Sequence, residues 1–288
     1  MHNGIFFLVL LSAHLLGDFY LQTPTLATKK EKEYSGILKH SLIYALLFTF
    51  IYLINETPWW LLAIAAGAHW IIDSVKWLLR NKPLSKPLLF VIDQIFHLLT
   101  LLLIVGFTLE IGIRPWLARL PIWIWASMTL LLLIWKPGNI SLDILFEKYA
   151  SAAKKEARRL DQEAVQKQQI AELTDNNQLS TQHNENQSDP IEVEGAGAWV
   201  GTFERIITVL FAYLGQYAAM GLLIAAKSMA RYDKISKGSA FAEYYLIGTL
   251  YSILFAIIAY LFVFKIVLPI SPVIPPTPIL VITPTPLP

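Results

Sequence analysis

Histidine and aspartate recur inside stretches of this 288-residue chain that are otherwise apolar. His14 and Asp18 stand in HLLGD, His69 and Asp73 in HWIID, and Asp93 and His97 in DQIFH. His40 lies in a fourth apolar stretch. Each pair is spaced i,i+4, which puts both side chains on one face of an α-helix. Neutral imidazoles and carboxylates supply the N and O ligands of a divalent ion such as zinc, manganese or iron. His14, Asp18, His40, His69, Asp73 and His97 are therefore the expected metal ligands. Asp93 is expected to ligate as well, or to act as general base on metal-bound water. Four histidines and three aspartates exceed the needs of one tetrahedral ion. They would suit two ions, or one ion with an acid/base pair and outer carboxylates. The competing reading is structural: such residues also hydrogen-bond across helices and hold a membrane bundle together.

The stretches that carry these residues are 5–21, 37–54, 59–79 and 88–109. Each approaches the ~20 residues with which a helix crosses ~30 Å of hydrocarbon. The order His-x-x-x-Asp followed by a histidine 22 residues later in the first two stretches is echoed in the next two. There Asp73 and His97 are separated by 24. At ~1.5 Å per residue from the expected cytoplasmic ends, all seven polar groups fall in one slab, roughly 5 to 15 Å deep. An ionised aspartate at the bilayer centre costs at least ~2.5 kcal/mol, so these groups must face inward and find partners.

Three more apolar stretches come later, 121–135, 206–226 and 244–267, giving six to seven transmembrane helices in all. The predicted organisation is a front membrane module (1–141), a polar connector (142–198), a two-helix rear module (199–268) and a proline-rich tail (269–288). The connector holds 17 of the chain's 44 charged residues; it reads as helix over 142–173 and as disordered over 174–198. The tail holds eight of sixteen prolines and cannot be an α-helix.

Lysines 29, 30, 32 and 39 in the first loop, and Arg80, Lys82 and Lys86 in the third, make those loops cytoplasmic. Lys227, Arg231, Lys234 and Lys237 also read as cytoplasmic, which seven full spans would forbid. One element between 110 and 226 is therefore expected not to cross, with the short, tryptophan-rich 121–135 as the weakest candidate. Lys76 reads as a snorkelling interface lysine, and adjacent Glu204 and Arg205 as an interfacial ion pair. The run after 226 is an orientation signal or a contact to anionic lipid, with a phosphate-binding role as the sharper alternative.

Composition agrees with a membrane protein. Apolar residues make up 55% of the chain and charged ones only 15%, where a soluble surface needs about a quarter. The absence of cysteine removes disulfides, thiolate sites and cysteine nucleophiles. A net charge of +2 with no basic stripe excludes nucleic acid as a partner. No glycine-rich nucleotide loop, G-x-S-x-G elbow or H-E-x-x-H motif is present.

At HLLGDF with Leu21-Gln22, at Lys39-His40, at His69-x-x-x-Asp73-x-x-Lys76 and at Asp93-Gln94-x-x-His97, the chain resembles a bacterial integral-membrane family, domain of unknown function 3307. Phe203-Glu204-Arg205, Ala226-Lys227-Ser228 and Glu243-Tyr244 are similar to the segment C-terminal to that domain in some members. The resemblance implies a multi-pass protein of the bacterial cytoplasmic membrane and carries no activity with it. The residues themselves point to an all-α bundle with a four-helix core around the polar cluster. Three functions fit it: a metal-dependent hydrolase of a lipid or lipid-linked phosphate, an ion- or proton-coupled transporter, or a non-catalytic scaffold.

Overall fold

The computed structural model describes residues 2–54, 57–107, 120–175 and 195–267. The proline-rich tail and most of the segment expected to be disordered lie outside them. Among the described residues there are helices and no strands. In chain order they are α1 (His2–Leu15), α2 (Pro24–Lys32), α3 (Tyr34–Ile54), α4 (Trp59–Leu79), α5 (Lys86–Phe107) and α6 (Ile122–Ile134). The later ones are α7 (Lys136–Leu145), α8 (Glu147–Asp175), α9 (Ala196–Tyr213), α10 (Tyr217–Ala230), α11 (Tyr232–Lys237) and α12 (Ser239–Leu261). Leu16–Tyr20 and Phe262–Val267 are π-helical extensions of α1 and α12.

Five helical segments are long and apolar enough to cross a membrane: Tyr34–Leu53, Trp59–Leu79, Lys86–Phe107, Ile122–Leu145 and Ser239–Val267. Gly4–Tyr20 with Pro24–Lys32, bent by 87°, makes a sixth if the pair is one span. Their burial is inverted relative to a soluble protein. On α3, His40 is wholly buried while Leu42 and Leu46 are 61% and 62% exposed. A helix that hides imidazole and shows leucine is built for hydrocarbon.

α1 lies at the centre, packed on α3, α5 and α6. Phe6, Phe7, Leu8, Leu10 and Leu11 are all buried, as expected of a helix apolar on every side. The outer helices α3, α4 and α5 present exposed leucines, isoleucines and tryptophans on their far faces.

Two apolar stretches are broken, each for a local reason. Pro137 cannot donate a backbone N–H, and the helix path kinks at Trp135, separating α6 from α7. The stretch 206–226 is cut at Gly215, whose φ of 68° closes a Schellman motif: Gln216 N–H donates to Phe211 O and Gly215 N–H to Ala212 O. The apolar stretch that does not form one long helix is thus 206–226. The segment 121–135, expected to be the weak one, is continued by α7 into a 24-residue candidate span.

The connector helix α8 is docked on α12. The Glu156 carboxylate accepts from the Phe241 backbone N–H at 3.0 Å and from the Ser239 hydroxyl at 3.3 Å, capping the start of α12 from outside. Gly238 permits the approach, since a Cβ there would lie 2.6 Å from Glu156 Oε2.

Candidate functional site

Four helices and one π turn bring the seven expected residues together. α1 supplies His14, the π turn Asp18, α3 His40, α4 His69 and Asp73, and α5 Asp93 and His97. All the histidines, Asp73 and Asp93 are at most 5% exposed, and the Asp18 side chain is 8% exposed. The slab expected from depth along the stretches is one continuous cluster.

At its centre the Nε2 atoms of His40 and His69 face each other at 3.2 Å. Asp73 Oδ2 lies 3.6 Å from the first and 3.4 Å from the second. Asp18 Oδ1 lies 3.0 Å from His40 Nε2 and 3.7 Å from His69 Nε2. Three sets have ligand atoms that converge: His40, His69 and Asp73; His14, Asp18 and His69; and Asp18, Asp93 and His97.

The hydrogen bonds divide the histidines by role. Gln94 donates from Nε2 to Asp18 Oδ2 and Asp93 Oδ2, which turns its Oε1 toward His14 Nε2 at 3.4 Å. On its other side His14 Nδ1 meets the Tyr44 hydroxyl at 2.8 Å. Both ring nitrogens of His14 are thus engaged within the protein. His97 donates from Nδ1 to the Asp93 carbonyl at 2.8 Å, which leaves its Nε2 lone pair buried and without a partner. The Nδ1 atoms of His40 and His69 are likewise without hydrogen bonds, as is Asp93 Oδ1. A cavity of about 10 Å³, the size of one water molecule, is lined by His14, Tyr44, His69 and His97.

Local backbone features make the cluster possible. The π turn adds a residue between α1 and α2 and carries Asp18; such insertions concentrate at functional sites. Gly17 lets Tyr44 approach, since a Cβ there would lie 2.5 Å from the ring. Tyr44 in turn stacks on His69 with ring centroids 3.4 Å apart.

Two lysines reach the carboxylates. Lys76 Nζ donates to Asp93 Oδ2 at 2.8 Å, with the side chain 34% exposed. The expectation of an interface lysine outside the site is corrected here: its stem runs to the edge, but its ammonium belongs to the cluster. Lys30 Nζ lies 2.7 Å from Asp73 Oδ2, close enough for an ion pair but off the direction of a hydrogen bond. Its position in a basic loop carries only an orientation signal, because nothing local foretells that α2 folds back toward Asp73. Tyr44 is equally silent in an apolar stretch.

The rear of the chain departs from expectation. Glu204 does not pair with Arg205 but with Lys227, at 2.6 Å. Lys227, first residue of the basic run considered for phosphate, is therefore already neutralised. Arg205 is 1% exposed and points into the α6–α7 break. Its guanidinium donates to the carbonyls of Ile134 and Trp135, to Asn139 Oδ1, and to the hydroxyls of Ser252 and Thr202. Gly138 faces it closely, since a Cβ at that position would lie 2.8 Å from Arg205 Nε. Outside the spans, exposed Glu33 is held below the usual carboxylate range by the Ser35 hydroxyl and by Lys29.

Fold and site together define an all-helical protein of the multi-pass membrane type with His/Asp groups able to hold a metal ion. Residues 6–119, which contain all seven cluster residues, match the model of the family described as protein of unknown function, DUF3307. No curated protein and no solved structure matches the chain.

Proposed function

We propose that the chain is a membrane-embedded, metal-dependent hydrolase acting on a lipid or lipid-linked phosphate in the bacterial cytoplasmic membrane. His40, His69 and Asp73 hold the metal. The observation that carries this reading is the spacing of their ligand atoms, 3.2, 3.4 and 3.6 Å apart. Ligands at ~2.0–2.1 Å from a tetrahedral zinc ion lie ~3.3–3.4 Å from one another. Three protein ligands leave one position open, as hydrolytic sites require.

Hydrogen bonding alone accounts for these contacts less well. Only one proton fits between two facing Nε2 atoms, and Asp73 Oδ2, within 3.6 Å of both, accepts a hydrogen bond from neither. Asp18 Oδ1, close to both imidazoles, is in reach of the open position as a fourth ligand or as the acceptor of a water proton. Asp93, its Oδ1 without a hydrogen bond, stands one carboxylate further on and is the general base of this reading if Asp18 ligates.

The test is the metal content of detergent-purified protein beside a His40→Ala, His69→Ala double variant. Stoichiometric zinc, manganese or iron in the first, and none in a helical second, is the expected result. No metal in freshly purified wild type, with none taken up on addition, refutes the reading. Metal with ion flux in liposomes, but no hydrolysis of lipid phosphates, would turn the same site into that of a carrier.

A further inference from the structure

The charges of the cluster do not balance. Asp18, Asp73 and Asp93 face the ammonium groups of Lys30 and Lys76, leaving one negative charge in excess when the imidazoles are neutral. A divalent ion reverses this and leaves one positive charge in excess. Buried charge is tolerated only when it is paired. The metal also removes a specific contact, because Asp73 Oδ2 is both the partner of Lys30 and one of the three converging ligand atoms.

The way Lys30 is delivered marks it out from its neighbours. No residue of α2 is buried. Lys29 is turned to Glu33, its side chain 38% exposed, whereas the Lys30 side chain is 13% exposed and ends on a fully buried carboxylate. The helix is seated by its backbone: a Cβ on Gly36 of α3 would lie 2.5 Å from Lys29 C and Lys30 N. Gly36 is therefore a point of close approach that holds α2, and with it Lys30, over the cluster.

We infer that Lys30 is the anion-binding and specificity-determining residue of this site: displaced from Asp73 by the metal, its ammonium binds a phosphate oxygen beside that metal. Metal binding precedes anion binding and creates the anion's seat. By linkage, the anion in turn tightens the metal by the same factor. The inference rests on the metal reading above. It assigns to Lys30 the role that the sequence had offered to the basic run at Lys227, whose ammonium Glu204 occupies.

The experiment uses the full chain in phosphatidylcholine nanodiscs, with zinc binding and phosphate binding measured separately. Inorganic phosphate is titrated with and without zinc; in a second arm phosphatidic acid is included in the disc. Expected is phosphate binding to the zinc-loaded protein alone. Lys30→Gln should weaken it roughly tenfold or more, the loss of one charge-assisted hydrogen bond, and leave zinc affinity equal or higher. Lys30→Arg should retain it. Binding of phosphatidic acid only assigns a lipid headgroup, and binding of inorganic phosphate only a soluble ester. Zinc binding with neither probe bound, or with equal phosphate affinity in wild type and Lys30→Gln, overturns the inference while the metal reading stands. Loss of zinc in Lys30→Gln makes Lys30 a strut of the site and overturns it too. Absence of zinc binding in wild type removes both.

Discussion

Arg205 and Asp73 are each 1% exposed, yet the protein treats these two buried charges in opposite ways. Arg205 meets only neutral acceptors, and every nitrogen of its guanidinium donates at least one hydrogen bond. Its fixed fork closes the α6–α7 break, where Pro137 has interrupted the helical ladder. Asp73 sits among two further carboxylates, four imidazoles and two ammonium groups, where several buried nitrogens and oxygens find no hydrogen bond. A satisfied charge tied to a backbone defect is a structural device. Surplus charge with unpaired donors and acceptors is the pattern that the proposed metal reading accounts for. The front and rear of the chain therefore hold different kinds of buried polarity, and residue type alone does not distinguish them.

That contrast can be broken most severely at the rear. Arg205→Ala should lower stability by about 3–5 kcal/mol, because two carbonyls and the Asn139 oxygen lose their donor in a low-dielectric setting. Detergent unfolding curves would register it, while zinc bound per folded molecule should not change. Little loss of stability would place Arg205 with the functional residues instead. At the front, His69→Ala should reduce metal affinity by more than about 100-fold with helicity intact, read by circular dichroism and metal analysis. His97→Ala, lying outside the central triad, should weaken it by about tenfold at most; equal losses would shift the ligand set toward Asp18, Asp93 and His97. Acidification tests the same division. Metal should dissociate as pH falls from neutral into the acid range, since protons compete with the metal for its histidine ligands. The stability contributed by Arg205 should stay constant through that range.

Smaller effects sharpen the boundary. Gly138→Ala should destabilise by about 1–3 kcal/mol through its clash with Arg205 Nε, and most of that loss should vanish in an Arg205→Ala background. Thermal unfolding of the two single variants and the double variant measures the coupling. Tyr44→Phe should cost about 1 kcal/mol, the worth of one hydroxyl shared between His14 and Asp18, and should weaken metal binding only a few-fold.

Much of the front module was legible along the chain. The i,i+4 pairs at His14–Asp18, His69–Asp73 and Asp93–His97 lie on helix faces wherever the helices go, and a shared depth comes from counting residues. The helical class is as direct, since an apolar run in lipid must satisfy its backbone internally. Other features were out of reach. Gly215 stood inside an apolar run that looked continuous, and only its φ of 68° shows that the run ends there. Glu204 and Arg205, adjacent in sequence, point to different partners because neighbouring residues on a helix project about 100° apart.

The sequence by itself determined the helical class, most of the segments apolar enough to cross a membrane and the set of seven polar residues within them. These are local or compositional properties, set by residue type, periodicity and length. Only the tertiary structure decided that His40, His69 and Asp73 converge at their ligand atoms and that His14 is tied up by Gln94 and Tyr44. It also decided that Lys30 comes back over an 87° bend to reach Asp73. Those outcomes depend on which faces of distant helices meet, and that is fixed by close packing, by glycines at points of contact and by one inserted π turn.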